Sequence, residues 1–372
     1  MYMNQEIITI TNEYEVLDAL FETHESVFVV CGKSIRNLNI YSYLKKLEQK
    51  CKVIYFHDFQ PNPTYESVVE GVQKFRQSNA KLIVAIGGGS AMDVAKCIKL
   101  FCNMNDDHLF LEQTIIPNNV HLIAMPTTAG TGSESTKFAV IYYNGVKQSV
   151  TDESIIPSKI IFDSSALKTL PYSVRCSSML DALSHAIESY WSINSTDKSK
   201  SIAKDAIQKI LKYKDQYLNN TDIGNAQMLK AANLAGQAIN ITQTTAGHAM
   251  CYKLTSLYSL QHGYATALVN VQLWPWMVDH IDDCADIRGK EYLKTVFYDL
   301  SEMFGGTTMK DGIECYKQLV NSLISSSNIS VNESDYNVLC SSVNQKRLKN
   351  NPIKLNEQSI CDLYYKILGG RK

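Results

Sequence analysis

The chain holds ten cysteines but no C-x-x-C pair. Thiols scattered through 372 residues read as reduced side chains of a cytoplasmic protein, not as a disulfide framework. Charge of one sign is also lacking. The net charge is -1 and the isoelectric point about 6.7, which argues against a nucleic acid or a membrane surface as partner. No long hydrophobic run is present. The most apolar stretch, "ATALVNVQLWPWMV", is too short to span a bilayer and is broken by Pro275. The N-terminal "MYMNQEIITITNEYEV" has neither a basic nor an apolar signal region, so no signal peptide is expected. Internal repeats and low-complexity segments are missing too.

What is present is an alternation. "VFVVCG" (27–32), "CKVIYFH", "KLIVAIGGGS", "HLIAMPTT" and "KIIFD" are apolar, strand-like runs. Helix-like segments such as "SIRNLNIYSYLKKLEQ" and "AMDVAKCIKLFC" separate several of them. Strands without polar alternation imply a parallel sheet covered on both faces. "FAVIYYNGVKQSV" carries Asn144-Gly145 between two β-rich arms and predicts a hairpin. From about Leu167 onward long helical stretches dominate. The expected architecture is an α/β domain with a mostly parallel sheet over 1–166 and an all-helical domain over 167–372.

"AIGGGSAMDVAK" places Gly87, Gly88, Gly89 and Ser90 between a strand and a helix. Glycines let the backbone approach a ligand, and a helix N-terminus suits a pyrophosphate. The spacing is neither G-x-G-x-x-G nor a P-loop, so a plain tight turn stays open on these residues alone. "MPTTAGTGSEST" also follows a strand and is rich in hydroxyls. Loops at the carboxyl ends of neighbouring parallel strands share one crevice, and two such loops can hold one dinucleotide.

"LDALSHAIE" puts Asp181 and His185 four residues apart on one face of an apolar helix. Buried polar groups need partners, and an internal Asp–His hydrogen bond would serve. His248 and His262, fourteen residues apart in "HAMCYKLTSLYSLQHG", add two imidazoles. Together the four make a carboxylate-and-imidazole shell suited to Fe²⁺, Zn²⁺ or Mn²⁺.

The ordered set "PNPT", "GGGSAMDVAK", "PTTAGTGSE", the Lys147 segment, "DALSHAIE" and "HAM" followed by "HG" resembles the iron-dependent (group III) alcohol dehydrogenases. The resemblance implies a dehydroquinate synthase-like architecture, NADPH or NADH as cofactor, and Fe²⁺, with Zn²⁺ second. It puts Asp181, His185, His248 and His262 at metal-ligand positions. Gly87 to Ser90 and Asp93 fall on the pyrophosphate loop, Thr127, Thr128 and Ser133 on the nicotinamide side, and Lys147 near the cofactor ribose. It leaves a homodimer open.

Two departures stand out. Members that prefer NAD tend to carry an Asp after the first strand, where this chain has Gly32 with Lys33, Ser34 and Arg36 beside it. Without that carboxylate a 2′-phosphate is not repelled, which favours NADPH or dual use. Most members also have H-x-x-x-H where this chain has His248 and Tyr252. On a helix His248, Tyr252 and Thr255 share a face, so Tyr252 is the expected proton donor or relay.

"INITQTTAGHAMCYKLTSLYSLQHG", with "QKRLKNNP" (345–352), resembles most the phosphonoacetaldehyde reductase branch. Such a substrate is a small anionic aldehyde, with Thr244, Thr245, Lys253 and Thr255 as expected contacts, aided by the late "KRLK". The alternatives are a general short-chain alcohol dehydrogenase, a dehydroquinate synthase-like lyase and a non-catalytic nucleotide-binding module.

Overall fold

The computed structural model describes residues 5–11, 13–21, 23–324, 331–343 and 348–369. The chain divides into two units, Met1–Leu170 with Asn220–Leu229, and Pro171–Asn219 with Lys230–Lys372.

The first unit is built on strands β1 (Glu6–Ile10), β2 (Ser26–Cys31), β3 (Lys52–Phe56), β4 (Leu82–Gly87), β5 (His121–Pro126) and β8 (Lys159–Asp163). They form one parallel sheet in the order β1-β8-β5-β4-β2-β3. Its helices are α1 (Asp18–Phe21), α2 (Ile40–Leu47), α3 (Tyr65–Ser78) and α4 (Gly89–Phe101). Val27 to Cys31 and Leu82 to Ile86 are buried without alternation, the pattern of strands covered on both faces. The edge strand β1 does not belong to the runs expected from sequence. "EIITI" is short and mostly exposed, with only Ile10 buried.

The direction of strand addition reverses between β2 and β4. β3 lies to one side of β2, while β4 and β5 follow on the other. In open parallel sheets ligands bind outside the carboxyl ends of strands at such a reversal. Cys31 of β2 is in register with Ile86 of β4, and Gly87 with Pro126 of β5. Hence Gly32–Ser34, Gly87–Ser90 and Thr127–Ser133 leave the sheet from adjacent strand ends. The antiparallel pair β6 (Phe138–Tyr143) and β7 (Val146–Thr151) turns at Asn144 and Gly145, both at positive φ, as the hairpin chemistry requires.

The second unit is helical: α5 (Tyr172–Trp191), α6 (Asp197–Leu218), most of α7 (Asp222–Thr242), α8 (Ala246–Tyr258), α9 (His262–Asp279), α10 (Lys290–Met303), α11 (Met309–Leu323), α12 (Glu333–Ser341) and a last helix, Glu357–Leu368. Helix α5 is buried almost all round from Met179 to Trp191 and packs on α6 and α9, while α8 packs on α9. No helix among the described residues is long and apolar enough to cross a membrane. One expectation is corrected here. Cys340 and Cys361, read as free thiols, are joined, because α12 and the last helix pack side by side with both cysteines between them.

Candidate active site

The strand-end loops of the first unit are fixed from α4. Thr127 N donates to Gly87 O at 3.0 Å, tying the loop after β5 to the end of β4. Lys96, wholly buried, donates to the carbonyls of Ser133, Thr136 and Phe138 at 2.6 to 2.8 Å and reaches the hydroxyls of Ser133 and Thr136 at 3.1 Å. Ser133 Oγ donates in turn to Asp93 Oδ1 at 3.3 Å. Asp93 and Ser133 therefore hold each other across the loop. Burial outweighs the positive charges of Lys96 and Lys147 and raises the Asp93 carboxyl to about 6. Burial pushes the Lys96 ammonium down to about 8, against the pull of Asp93 and Glu134.

Helix α4 starts at Gly89, after Gly88, with no side-chain cap on its first turn. Its first N–H groups are thereby left for a ligand. Gly87 to Ser90, Thr127 and Thr128 are partly exposed, as are Gly32 and, to a greater degree, Lys33 and Ser34. Lys147 lies on β7 opposite Tyr142.

In the second unit α5 carries Asp181 and His185, α8 carries His248, and His262 is the first residue of α9. The structure brings three of the four expected ligands to a point. One donor atom each from Asp181, His248 and His262 lie within 4.8 Å of one another. His248 Nε2 is 3.5 Å and His262 Nε2 3.8 Å from Asp181 Oδ1. His185 adjoins them with its ring stacked on His248, centroids 4.3 Å apart.

The residues fit a divalent metal ion. Asp181 Oδ1 and His248 Nε2 are buried and have no hydrogen-bond partner among the described residues. Two ligands at ~2.1 Å from one ion in tetrahedral geometry stand about 3.4 Å apart, close to the separations found. The donors are carboxylate and imidazole. The nearby thiol, Cys251 Sγ, lies 3.7 Å from His262 Nδ1, behind the ring and away from the Nε2 that faces Asp181. Burial would raise the Asp181 carboxyl, but His185, His248 and His262 outweigh it and hold it below the usual carboxylate range. Burial would lower His248, but Glu188 and Asp181 outweigh it and lift it to about 9. The carboxylates and imidazoles of the cluster thus stabilise one another's charged forms. Asp181 and His248 are buried, whereas the His262 side chain is 37% exposed, so access is from the His262 side.

Two residues of this site were not anticipated. Glu188, buried at 0%, accepts from His248 Nδ1 at 2.6 Å. It lies seven residues after Asp181 on the same face of α5, and a lone Glu in that apolar stretch was the available signal. Cys251 is three residues after His248 and so shares its side of α8.

The Tyr252 ring stacks on His262 at 5.6 Å, which puts Tyr252 beside the cluster. The expected substrate contacts fare differently. Thr245 is fully buried, and its hydroxyl donates to Glu188 Oε2 and accepts from Trp191 Nε1, both at 2.9 Å. Thr255 donates to the Cys251 carbonyl at 3.1 Å. Both hydroxyls thus serve the helix framework. Thr244 is buried, and its carbonyl accepts from Asn350 Nδ2 at 3.1 Å. Lys253 is partly exposed. Lys346 and Arg347 of the "KRLK" segment lie outside the described residues.

Residues 4–164 match the family described as iron-containing alcohol dehydrogenase, and residues 175–368 match its C-terminal domain. Alcohol dehydrogenase 4 of Schizosaccharomyces pombe is 31% identical over 254 residues, covering 66% of this chain and 60% of that protein. The chain spans less than two thirds of the length of that relative and of 1-propanol dehydrogenase from Citrobacter freundii. An iron-containing alcohol dehydrogenase structure from Thermococcus thioreducens superposes with a TM-score of 0.88 at 23% identity, over 100% of both chains. The sulfoacetaldehyde reductase of Bifidobacterium kashiwanohense, solved with NAD⁺, gives 0.86 at 23% identity over 99% of this chain and 98% of that one. Both are similar in fold.

Proposed function

The chain belongs to the iron-containing alcohol dehydrogenase family, and on that premise we propose that it moves hydride between NAD(P)H and a small aldehyde, forming the primary alcohol. The observation that carries this is the convergence of Asp181, His248 and His262 in a chain that also has the uncapped Gly88–Ser90 turn. A divalent ion bound there, Fe²⁺ or Zn²⁺, supplies Lewis-acid polarisation of the carbonyl. The turn at the start of α4 binds the cofactor pyrophosphate through its N–H groups. Gly32, with exposed Lys33 and Ser34, admits a 2′-phosphate, so NADPH serves at least as well as NADH.

Tyr252 is the proposed source of the proton for the alcohol oxygen, directly or through an ordered water. Its support is the ring contact with His262 on the more exposed side of the cluster. Tyr252→Phe keeps that contact and removes Oη. Turnover should fall by about 10²-fold or more, the usual contribution of a positioned acid, with metal content unchanged. A wild-type rate in Tyr252→Phe would remove the relay role.

Phosphonoacetaldehyde is the preferred substrate in this reading. Lys253, on α8 next to Tyr252, supports it as an ammonium for the phosphonate. The fold shared with a sulfoacetaldehyde reductase is compatible with an anionic two-carbon aldehyde. A second reading, a short-chain alcohol dehydrogenase for uncharged substrates, is favoured by the commitment of the Thr245 and Thr255 hydroxyls to internal bonds. The deciding experiment is a panel of small aldehydes, with and without a phosphonate or carboxylate, run against NADPH and NADH at the reduced-nicotinamide absorbance. The proposal expects kcat/KM at least ~10-fold higher for phosphonoacetaldehyde than for an uncharged aldehyde of its size, one charge-assisted contact being worth ~1.5 kcal/mol or more. Equal efficiencies would establish the second reading, and no oxidation of either cofactor by any aldehyde would remove both.

A further inference from the structure

We infer that Glu188 is a positioning residue that decides which nitrogen of His248 faces the metal site. The inference rests on the metal-site reading above and concerns a residue that no ligand assignment includes.

Glu188 Oε2 accepts from Thr245 N at 2.6 Å, Thr245 Oγ1 at 2.9 Å and His248 N at 3.3 Å. It therefore caps the N-terminus of α8 from the neighbouring helix α5. Oε1 faces His248 Nδ1 at 2.6 Å and Asn270 Nδ2 at 3.3 Å. An ionised carboxylate only accepts hydrogen bonds, so Nδ1 carries a proton and Nε2 is left to face Asp181. The opposite neutral tautomer would set the Nδ1 lone pair against the carboxylate at 2.6 Å. A carboxylate held on the far nitrogen fixes both the ring and its tautomer for ligation through the other.

The carboxylate has little freedom to turn away. A Cβ at Gly247 would lie 2.4 Å from Glu188 Oε1 and 2.1 Å from Asn270 Oδ1. The chain thus uses its smallest residue just before His248, where Glu188 and Asn270 press against the first turn of α8. Thr245, whose hydroxyl is bound to Glu188 Oε2, belongs to the same apparatus.

Glu188→Gln separates positioning from packing, because the two side chains have nearly the same shape. Three donors around Oε2 select the amide oxygen for that side. The NH₂ group is then left to donate to His248 Nδ1, which moves the ring proton to Nε2 and blocks ligation. Asn270 can present Oδ1, which has no hydrogen-bond partner among the described residues, to the new NH₂. Zinc affinity, measured by competition with a chromophoric chelator, should fall about 10- to 100-fold, while the circular dichroism stays native. Nitrogen-15 NMR of the zinc-loaded wild type should show His248 protonated on Nδ1 and bound through Nε2. A wild-type protein that binds zinc and a folded Glu188→Gln variant that binds it equally well would overturn the role of Glu188 alone. Should the variant not fold, the wild-type spectrum decides, and zinc on Nδ1 overturns the inference. A wild type that binds no zinc, ferrous or manganous ion overturns the metal-site reading itself, and Glu188 with it.

Discussion

Replacing His262 with alanine should remove bound metal and aldehyde reduction together while leaving the metal-free fold intact. His262 presents Nε2 to Asp181 Oδ1 at 3.8 Å, yet its side chain is 37% exposed. Truncating a partly exposed ring at the first turn of α9 opens no core cavity, so the fold should lose no more than about 1 kcal/mol. The metal site, in contrast, loses one of the three donors that converge. The affinity loss should exceed the ~10- to 100-fold typical of changes to groups that only support ligands. His248→Ala would be a less clean test, because it removes a buried ring and the hydrogen bond to Glu188 Oε1, which keeps only Asn270 Nδ2 on that side, and losing one partner of a buried polar group costs ~1–3 kcal/mol. Elemental analysis after gel filtration, NAD(P)H oxidation and thermal unfolding of the metal-free proteins check the three parts. Full activity of a chelator-treated, metal-free wild type would sink the assignment, as would stoichiometric metal in His262→Ala.

The parts of this protein that local chemistry determines could be read from sequence. The β4–α4 and β5 loops announced themselves through glycines and hydroxyls after buried strands, and Asn144-Gly145 through its turn. The i, i+4 spacing of Asp181 and His185 needed only helix geometry. What could not be read depends on partners far along the chain. Glu188 meets His248 sixty residues later and Asn270 eighty-two residues later. No local pattern says that a glutamate in an apolar helix caps another helix and grips a histidine. The same contacts explain why Thr245 looked like a substrate group. Its hydroxyl is polar in any sequence, but Glu188 and Trp191 claim it. Strand β1 escaped notice for a different reason. Edge strands pair on one side only and need little apolar surface, and Ile7 is 47% exposed.

The close approach of α5 and α9 leads to the second large effect. An alanine Cβ at Gly263 would lie 1.8 Å from the Ser177 carbonyl oxygen, 2.8 Å from its carbon and 2.9 Å from the Asp181 nitrogen. All three are backbone atoms of α5, so no side chain can turn aside to make room. The helices must part by more than about 1 Å to restore van der Waals contact. Overpacking a tight interface costs ~1–3 kcal/mol and occasionally more, and a clash against rigid backbone belongs at the upper end. The damage should reach the site as well as the fold. Gly263 follows His262, and one of the atoms it would strike is the backbone nitrogen of Asp181, so separating the helices pulls two proposed ligands apart. A misplacement of ~1 Å in a positioned site can cost about 10²-fold. Gly263→Ala should therefore unfold at a lower temperature and, measured well below that temperature, bind zinc more weakly than the wild type. His262→Ala should separate these effects, losing metal with little change in the metal-free unfolding temperature. Wild-type stability and zinc affinity in Gly263→Ala would show that α5 and α9 do not pack this closely.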